Sequence, residues 1–219
     1  TDPARSAEDR RALASHVFGT QISNEAARML DILLGEHFSR DSDLLIALEE
    51  LGVEAVLYTG KQEARLPEIE EQLYRCMRML LRRRDLRVSL GERAIPAKHR
   101  EDLARTVFTG LHPETLELLI RAVHRAPKPT VTASLNAYIE KVGQIGHHLV
   151  ASVTSATALT DEQVARLTKI LSDRYRTEVV VHISVEPRVV GGIRIHIGED
   201  VIDGTLAHRL DAVKELITQ

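Results

Sequence analysis

The sequence predicts a mainly α-helical fold, with a bundle of helices up to about residue 150 and a small α/β domain after it. Three observations carry this: helical spacing of apolar residues, caps and turns at regular intervals, and a switch to alternating residues near the C-terminus. From Ala7 to about Val150 apolar residues recur every three and four positions. Leu13, Val17 and Phe18 are one such stripe of packed helices, and Leu73, Met77 and Leu80 another. Breaks fall at Gly19-Thr20, Ser39-Arg40-Asp41, Arg84-Asp85, Gly91 with Pro96, His112-Pro113 and Pro127-Lys128-Pro129, which makes seven or eight helices. Ser23 before Asn24 and Glu25 reads as a helix start. Thr160 reads as another, with Gln163 completing a capping box.

After about Gly146 the pattern changes. His147–Ser155 is short and β-tolerant, Asp161–Tyr175 is helical, and Glu178–Val185 alternates around β-branched residues. Ile193, Ile195 and Ile197 alternate again, and a final helix is expected from Thr205 or Leu206 to Ile217. The order is β, α, β, β, α, with antiparallel pairing expected across the Pro187–Gly192 turn.

The helical part also repeats itself. Ala4, Ala7, Arg10, Leu13, Ala14, Val17 and Phe18 meet identical residues ninety positions later, over Ala94–Phe108. Asn24-Glu25 lies over Pro113-Glu114, and Glu49 and Gly52 lie over Glu140 and Gly143. Two helices of similar pattern also match by chance; if the repeat is real, residues 1–43 are the tail of an earlier, incomplete copy.

Composition narrows the function classes. Lys and Arg total 29 against 32 Asp and Glu, a formal net charge of −3, so no basic excess favours a nucleic-acid backbone. Cys76 is the single cysteine, which rules out an internal disulfide and a thiolate cluster and fits a reducing compartment. No apolar run approaches the roughly 20 residues that cross a bilayer, and Thr1-Asp2-Pro3 opens no signal peptide. The absent initiator Met fits either a trimmed chain or the later part of a longer one.

Catalytic templates fail. The chain has no Gly-x-x-x-x-Gly-Lys-Ser/Thr, Gly-x-Gly-x-x-Gly, Gly-x-Ser-x-Gly or His-Glu-x-x-His, so no catalytic residue and no cofactor is expected. Gly191-Gly192 lies between strands and opens no helix, which favours a positive-φ turn or close backbone approach over a phosphate cradle. Asp203 reads as a cap beside Gly204. His182 and His196 are expected as cross-strand neighbours on a solvated sheet face, and without a third ligand at a fixed spacing no metal is expected. His147-His148 cannot both face one side of a regular element. Arg82-Arg83-Arg84 reads as complementing a helix C-terminus, and Cys76 as an inert core residue.

The C-terminal third carries a longer pattern. Val153, Ser155, Ala156, Leu159, Thr160 and Gln163 lead to Glu186-Pro187. Gly191-Gly192-Ile193-Arg194-Ile195 follows, then Ile197-Gly198-Glu199-Asp200-Val201-Ile202-Asp203-Gly204-Thr205 and Arg209-Leu210. This resembles the C-terminal signature of ATP synthase delta subunits, relatives of the mitochondrial oligomycin-sensitivity-conferring protein. Glu186 stands where the family usually has Asp and Thr205 where it often has Ser, and both keep charge or hydroxyl. Ile46–Val150 is similar to the family's six-helix bundle, with Ala55–Tyr58 in its first helix and Val107–Phe108 in its fourth. Residues 1–43 resemble extra, partly duplicated helices of actinobacterial delta subunits, some of which are fused behind a membrane-anchored b-type segment.

The resemblance implies three parts: extra helices over 1–43, a bundle over 44–150 that binds the catalytic head, and an α/β domain over 151–219 that faces the b stalk. It implies a non-catalytic stator subunit of the F-type proton-translocating ATP synthase, peripheral to the cytoplasmic face of a bacterial plasma membrane. The partners implied are N-terminal helices of alpha subunits and a b-type stalk subunit. Between the first and fifth bundle helices a groove is implied, with Leu51, Ala55 and Tyr58 on one side and Leu116, Leu119 and Val123 on the other; the alternative for each is ordinary core. Arg194, His196, Glu199 and Asp200 are the stalk-contact candidates. A helical adaptor of another assembly is the alternative class, and an enzyme a further one.

Overall fold

Two short capped helices open the computed structural model, which describes residues 6–19, 21–36, 38, 40–126, 128–187, 189 and 191–204. α1 (Ala7–Phe18) starts where Ser6 accepts a hydrogen bond from the Asp9 amide. α2 (Asn24–Gly35) starts where Ser23 accepts from the Ala26 amide, the cap its sequence predicts. α3 follows over Asp41–Gln62. The chain divides into two compact units, Thr1–Ala55 and Val56–Gln219.

In the first unit, Arg11 Nε donates to the Asp31 carbonyl at 3.1 Å and joins α1 to α2. The predicted apolar stripe of α1 is left uncovered: Leu13, Val17 and Phe18 are all exposed, as are Met29 and Ile32 of α2. Two helices and part of a third bury too little surface to enclose a stripe on each of them.

The second unit continues with α4 (Leu66–Arg82), α5 (Arg84–Gly91), α6 (Ala97–Val107), α7 (Pro113–Arg125) and α8 (Val131–Gly146). Eight helices therefore precede the first strand among the described residues. The break between α3 and α4 is one that the sequence reading passes over; Ala64 turns there with φ 55° and Pro67 sits in the first turn of α4. α8 packs on α4 and α7, and α6 on α7. Their meeting faces bury Ile69, Leu73 and Leu80 of α4, Leu118, Leu119 and Val123 of α7, and Leu135 and Val142 of α8. Arg100 of α6 is buried too, donating to the carbonyls of Leu90 and Val123 near the C-terminal ends of α5 and α7. Those ends carry partial negative charge, which suits a guanidinium.

The basic run Arg82-Arg83-Arg84 divides its roles. Arg82 ends α4, Arg84 starts α5, and Arg83 between them pairs with Asp85 at 3.0 Å. That hydrogen bond, with the Leu86 amide, holds the Asp85 carboxyl down to about 2. A carboxyl lowered by folding stabilises the native state above its unfolded value and loses that contribution as the pH falls through the folded one. An NMR titration is expected to find the Asp85 midpoint near 2, and Arg83→Ala to return it toward about 4.

β1 (Leu149–Ser155), α9 (Asp161–Tyr175), β2 (Val179–Val185), β3 (Ile193–Ile197) and β4 (Asp200–Asp203) complete the unit. The sheet order is β2-β1-β3-β4. The expected β2–β3 hairpin is not formed: β2 runs parallel to β1, and β3 lies antiparallel to β1 on its other side. α9 is long enough to return the chain for a parallel partner, and parallel strands require a crossover of about a dozen residues or more. β1 thereby takes an interior place in the sheet, with Ala151 and Val153 wholly enclosed. One face of the sheet closes over α9 through Ala151, Val153, Leu171, Val179, Ile195 and Ile197.

Thr160 forms the predicted capping box with Gln163 at the start of α9. Gly191 and Gly192 take φ of 64° and 77°, the positive-φ turn that their sequence predicts. Asp203 ends β4 and accepts from Arg194 directly across the ladder at 2.9 Å; the helix that its sequence predicts it to cap lies outside the described residues. The alternation of Val201 and Ile202 is too short to separate a strand from a loop exit. The final helix expected from Thr205 or Leu206 to Ile217 lies outside the described residues.

Candidate functional site

α4 carries one carboxylate on its apolar face, Glu70, beside Ile69 and one turn before Leu73 and Tyr74. Glu70 is 1% exposed. Its Oε2 lies 2.6 Å from His148 Nε2 and its Oε1 2.7 Å from His182 Nε2. A carboxylate only accepts, so an imidazole bonded to one presents an N–H to it. Glu71 Oε2 is 3.2 Å from the other nitrogen of His182, and the Tyr74 ring stacks on that imidazole at 4.4 Å between centroids. His148 reaches this place because α8 ends at His147 in the left-handed conformation, and the next residue turns back over Gly143. A Cβ on Gly143 would stand 2.8 Å from the His148 carbonyl, so the turn needs glycine there.

This overturns the expected solvated sheet face. His182 is buried, and Ser152 of β1 sits between it and His196 in the same row, so the two histidines are not cross-strand neighbours. His147 and His148 do face different surroundings, as predicted: the first is exposed, the second joined to Glu70. Sequence reasoning missed Glu70 although a signal was present, a lone acid inside the Ile69, Leu73, Met77, Leu80 stripe.

Of the groove candidates, Tyr58 is half exposed with Lys61 Nζ 5.8 Å from its ring centre, Leu116 is half-buried, Ala55 is exposed and Leu51 half-buried. Leu119 and Val123 are fully enclosed in the bundle core, the alternative that the sequence reading holds open for each. Their helical spacing with Leu116 marks an apolar stripe, but the stripe is wide enough to face the core along most of its length.

The stalk-contact candidates all project outward, as alternation predicts. Three are engaged locally. Arg194 is tied to Asp203, Asp200 accepts from the Tyr175 hydroxyl at 2.7 Å, and His196 lines a cleft of about 580 Å³ with Tyr74, Arg78, Glu140 and Glu186. Glu199 is exposed in the β3–β4 turn. The bond to Asp200 raises the Tyr175 phenol, since the hydroxyl must keep its proton to donate.

Nothing in this arrangement resembles a nucleophile, a base and an oxyanion donor held together. Among the described residues no group of three or more His, Cys, Asp or Glu is placed to hold a metal ion. Cys76 is buried, and desolvation pushes its thiol up to about 12, which makes it the inert core residue that was expected. No helix among the described residues is long and apolar enough to cross a membrane.

Residues 53–217 match the family model described as ATP synthase delta (OSCP) subunit. An "ATP synthase subunit delta" of Beutenbergia cavernae is 33% identical over 219 aligned residues, covering 98% of this chain and 79% of that protein. Its counterparts in Acidothermus cellulolyticus and Streptomyces griseus are 32% and 31% identical over 98% and 96% of this chain and 79% and 78% of theirs. Among solved structures, a chain of the Toxoplasma gondii mitochondrial ATP synthase hexamer gives a TM-score of 0.44 at 18% identity, over 78% of this chain and 98% of that one.

Proposed function

We propose, because the chain belongs to the ATP synthase delta (OSCP) subunit family and is thus a structural stator subunit rather than a catalytic one, that its two ends grip different partners. Residues 44–150 take N-terminal helices of alpha subunits on the catalytic head, and residues 151–219 meet a b-type stalk subunit. Residues 1–43 are read as extra helices from a partial repeat. Helix starts support the repeat: Ala7 and Ala97, Asn24 and Pro113, and Asp41 and Val131 stand ninety, eighty-nine and ninety residues apart. Arg10 and Arg100, aligned by the same offset, both reach toward the C-terminal end of the following helix or just beyond it. The complex is placed on the cytoplasmic face of a bacterial plasma membrane, with this subunit held there through its partners.

The observation that carries the reading is the family match across both the bundle and the sheet, residues 53–217. Tyr58 and Leu116 remain the groove candidates with side-chain surface to offer, joined by Leu51 and Ala55. An amphipathic helix laid into a groove is held by apolar anchors one turn apart, and a carboxylate among them opposes that burial. Tyr58→Asp and Leu116→Asp are each expected to weaken binding of an alpha N-terminal peptide by tenfold or more, about 1.4 kcal/mol, with helicity unchanged. Calorimetric titration measures this, and equal affinity in both variants overturns the groove. Arg194, His196, Glu199 and Asp200 are the corresponding contacts toward the stalk.

A further inference from the structure

We propose that Glu70 is a positioning residue that sets the angle of the sheet against the bundle, and so, resting on the stator reading above, the angle between the head-facing and stalk-facing parts of the subunit. One carboxylate ties together three segments: α4 that bears it, the α8–β1 turn through His148, and β2 through His182. Glu70 also opens a ladder of contacts along one helix. Tyr74 stacks on His182 and donates to its carbonyl at 3.3 Å, Arg78 donates to the Ile183 carbonyl at 2.9 Å, and Arg82 to the Val185 carbonyl at 3.2 Å. These four residues stand one per turn at intervals of four, spanning about 18 Å of helix. All four hold β2, which is an edge strand of the sheet. A body held at one point can swivel, whereas one held at four successive turns cannot swivel without parting several contacts at once.

The choice of a carboxylate is informative. A buried ion carries a large desolvation penalty, and well-packed apolar residues hold two surfaces together at least as well. What two short hydrogen bonds to one carboxylate add is direction, since each is satisfied over a narrow range of angles. The sheet does not depend on this contact for its own core. That core lies on the opposite face, against α9, in Val153, Leu171, Ile195 and Ile197. Loss of Glu70 therefore changes how the sheet is seated and leaves its fold in place.

The test uses the full chain with spin labels at Ala137→Cys on α8 and Ala165→Cys on α9, both exposed positions. Cys76 does not compete for label, being buried with its thiol at about 12. Pulsed dipolar spectroscopy is expected to give one narrow distance distribution, broadened roughly twofold by Glu70→Ala and by His182→Ala as additional seatings become populated. Glu70→Gln, which keeps both bonds if one imidazole changes tautomer, is expected to restore the narrow distribution. Unchanged width in Glu70→Ala and His182→Ala overturns the proposal. So does loss of hydrogen-exchange protection in β1 and β3 of either variant, since Glu70 would then maintain the fold rather than the angle. Peptide binding on the unlabelled wild-type chain is read separately, so failure of the stator reading is distinguishable from failure of the Glu70 assignment.

Discussion

Leu119→Asp is expected to unfold the second compact unit. Leu119 has no exposed surface, and it lies in α7 among Leu118, Val123 and the buried face of α8. Removing the leucine forfeits about 2–3 kcal/mol of burial. The carboxylate must then stay ionised in an apolar site, take up a proton, or pull the helix outward, and each route costs several kcal/mol more. The sum exceeds about 5 kcal/mol, against a total stability of roughly 5–15 kcal/mol for a domain. Far-UV circular dichroism with urea titration is the check. The expected result is helical signal lost at denaturant concentrations where the wild type is native. Tyr58→Asp is the matched control, because a half-exposed side chain tolerates charge and should move the midpoint little. If both variants stay folded, α7 is not the centre of the bundle.

Arg100→Met has the second-largest expected effect, for a different reason. The guanidinium is 5% exposed and donates to the Leu90 and Val123 carbonyls, near the ends of two helices whose last turns lack internal donors. Methionine fills much of the same space but leaves both acceptors unpaired. Each buried, unpaired acceptor costs about 1–3 kcal/mol, so roughly 2–6 kcal/mol is expected from the pair. The urea midpoint should fall while the slope of the transition stays constant, because the native surface is unchanged. A stability within 0.5 kcal/mol of wild type would show that the two helix ends find other donors.

How far the sequence reaches can be judged from particular residues. Ser23 and Thr160 were legible as caps because capping is local: a side-chain oxygen meets an amide two or three residues on. Gly191-Gly192 was legible because positive φ is a property of the residue itself. The α3–α4 break was legible in principle from Pro67, but the apolar spacing on either side concealed it. Leu119 and Val123 stayed open between core and groove because periodicity shows which face of a helix is apolar and does not distinguish the two. The strand β4 went unread since four residues leave almost no period to detect.

The sequence by itself determined the helical bundle, the later α/β part and the lack of a catalytic template, because these rest on residue type and local spacing, and its resemblance to known delta subunits pointed to the family. Only the tertiary structure decided the strand order and the role of Glu70. Alternation states which side of a strand is apolar but not which strand lies beside it, so β1 rather than β3 became the neighbour of β2. Glu70 meets residues 78 and 112 positions away. A buried acid acquires its partners only when those segments are folded against it, and no local pattern records that meeting.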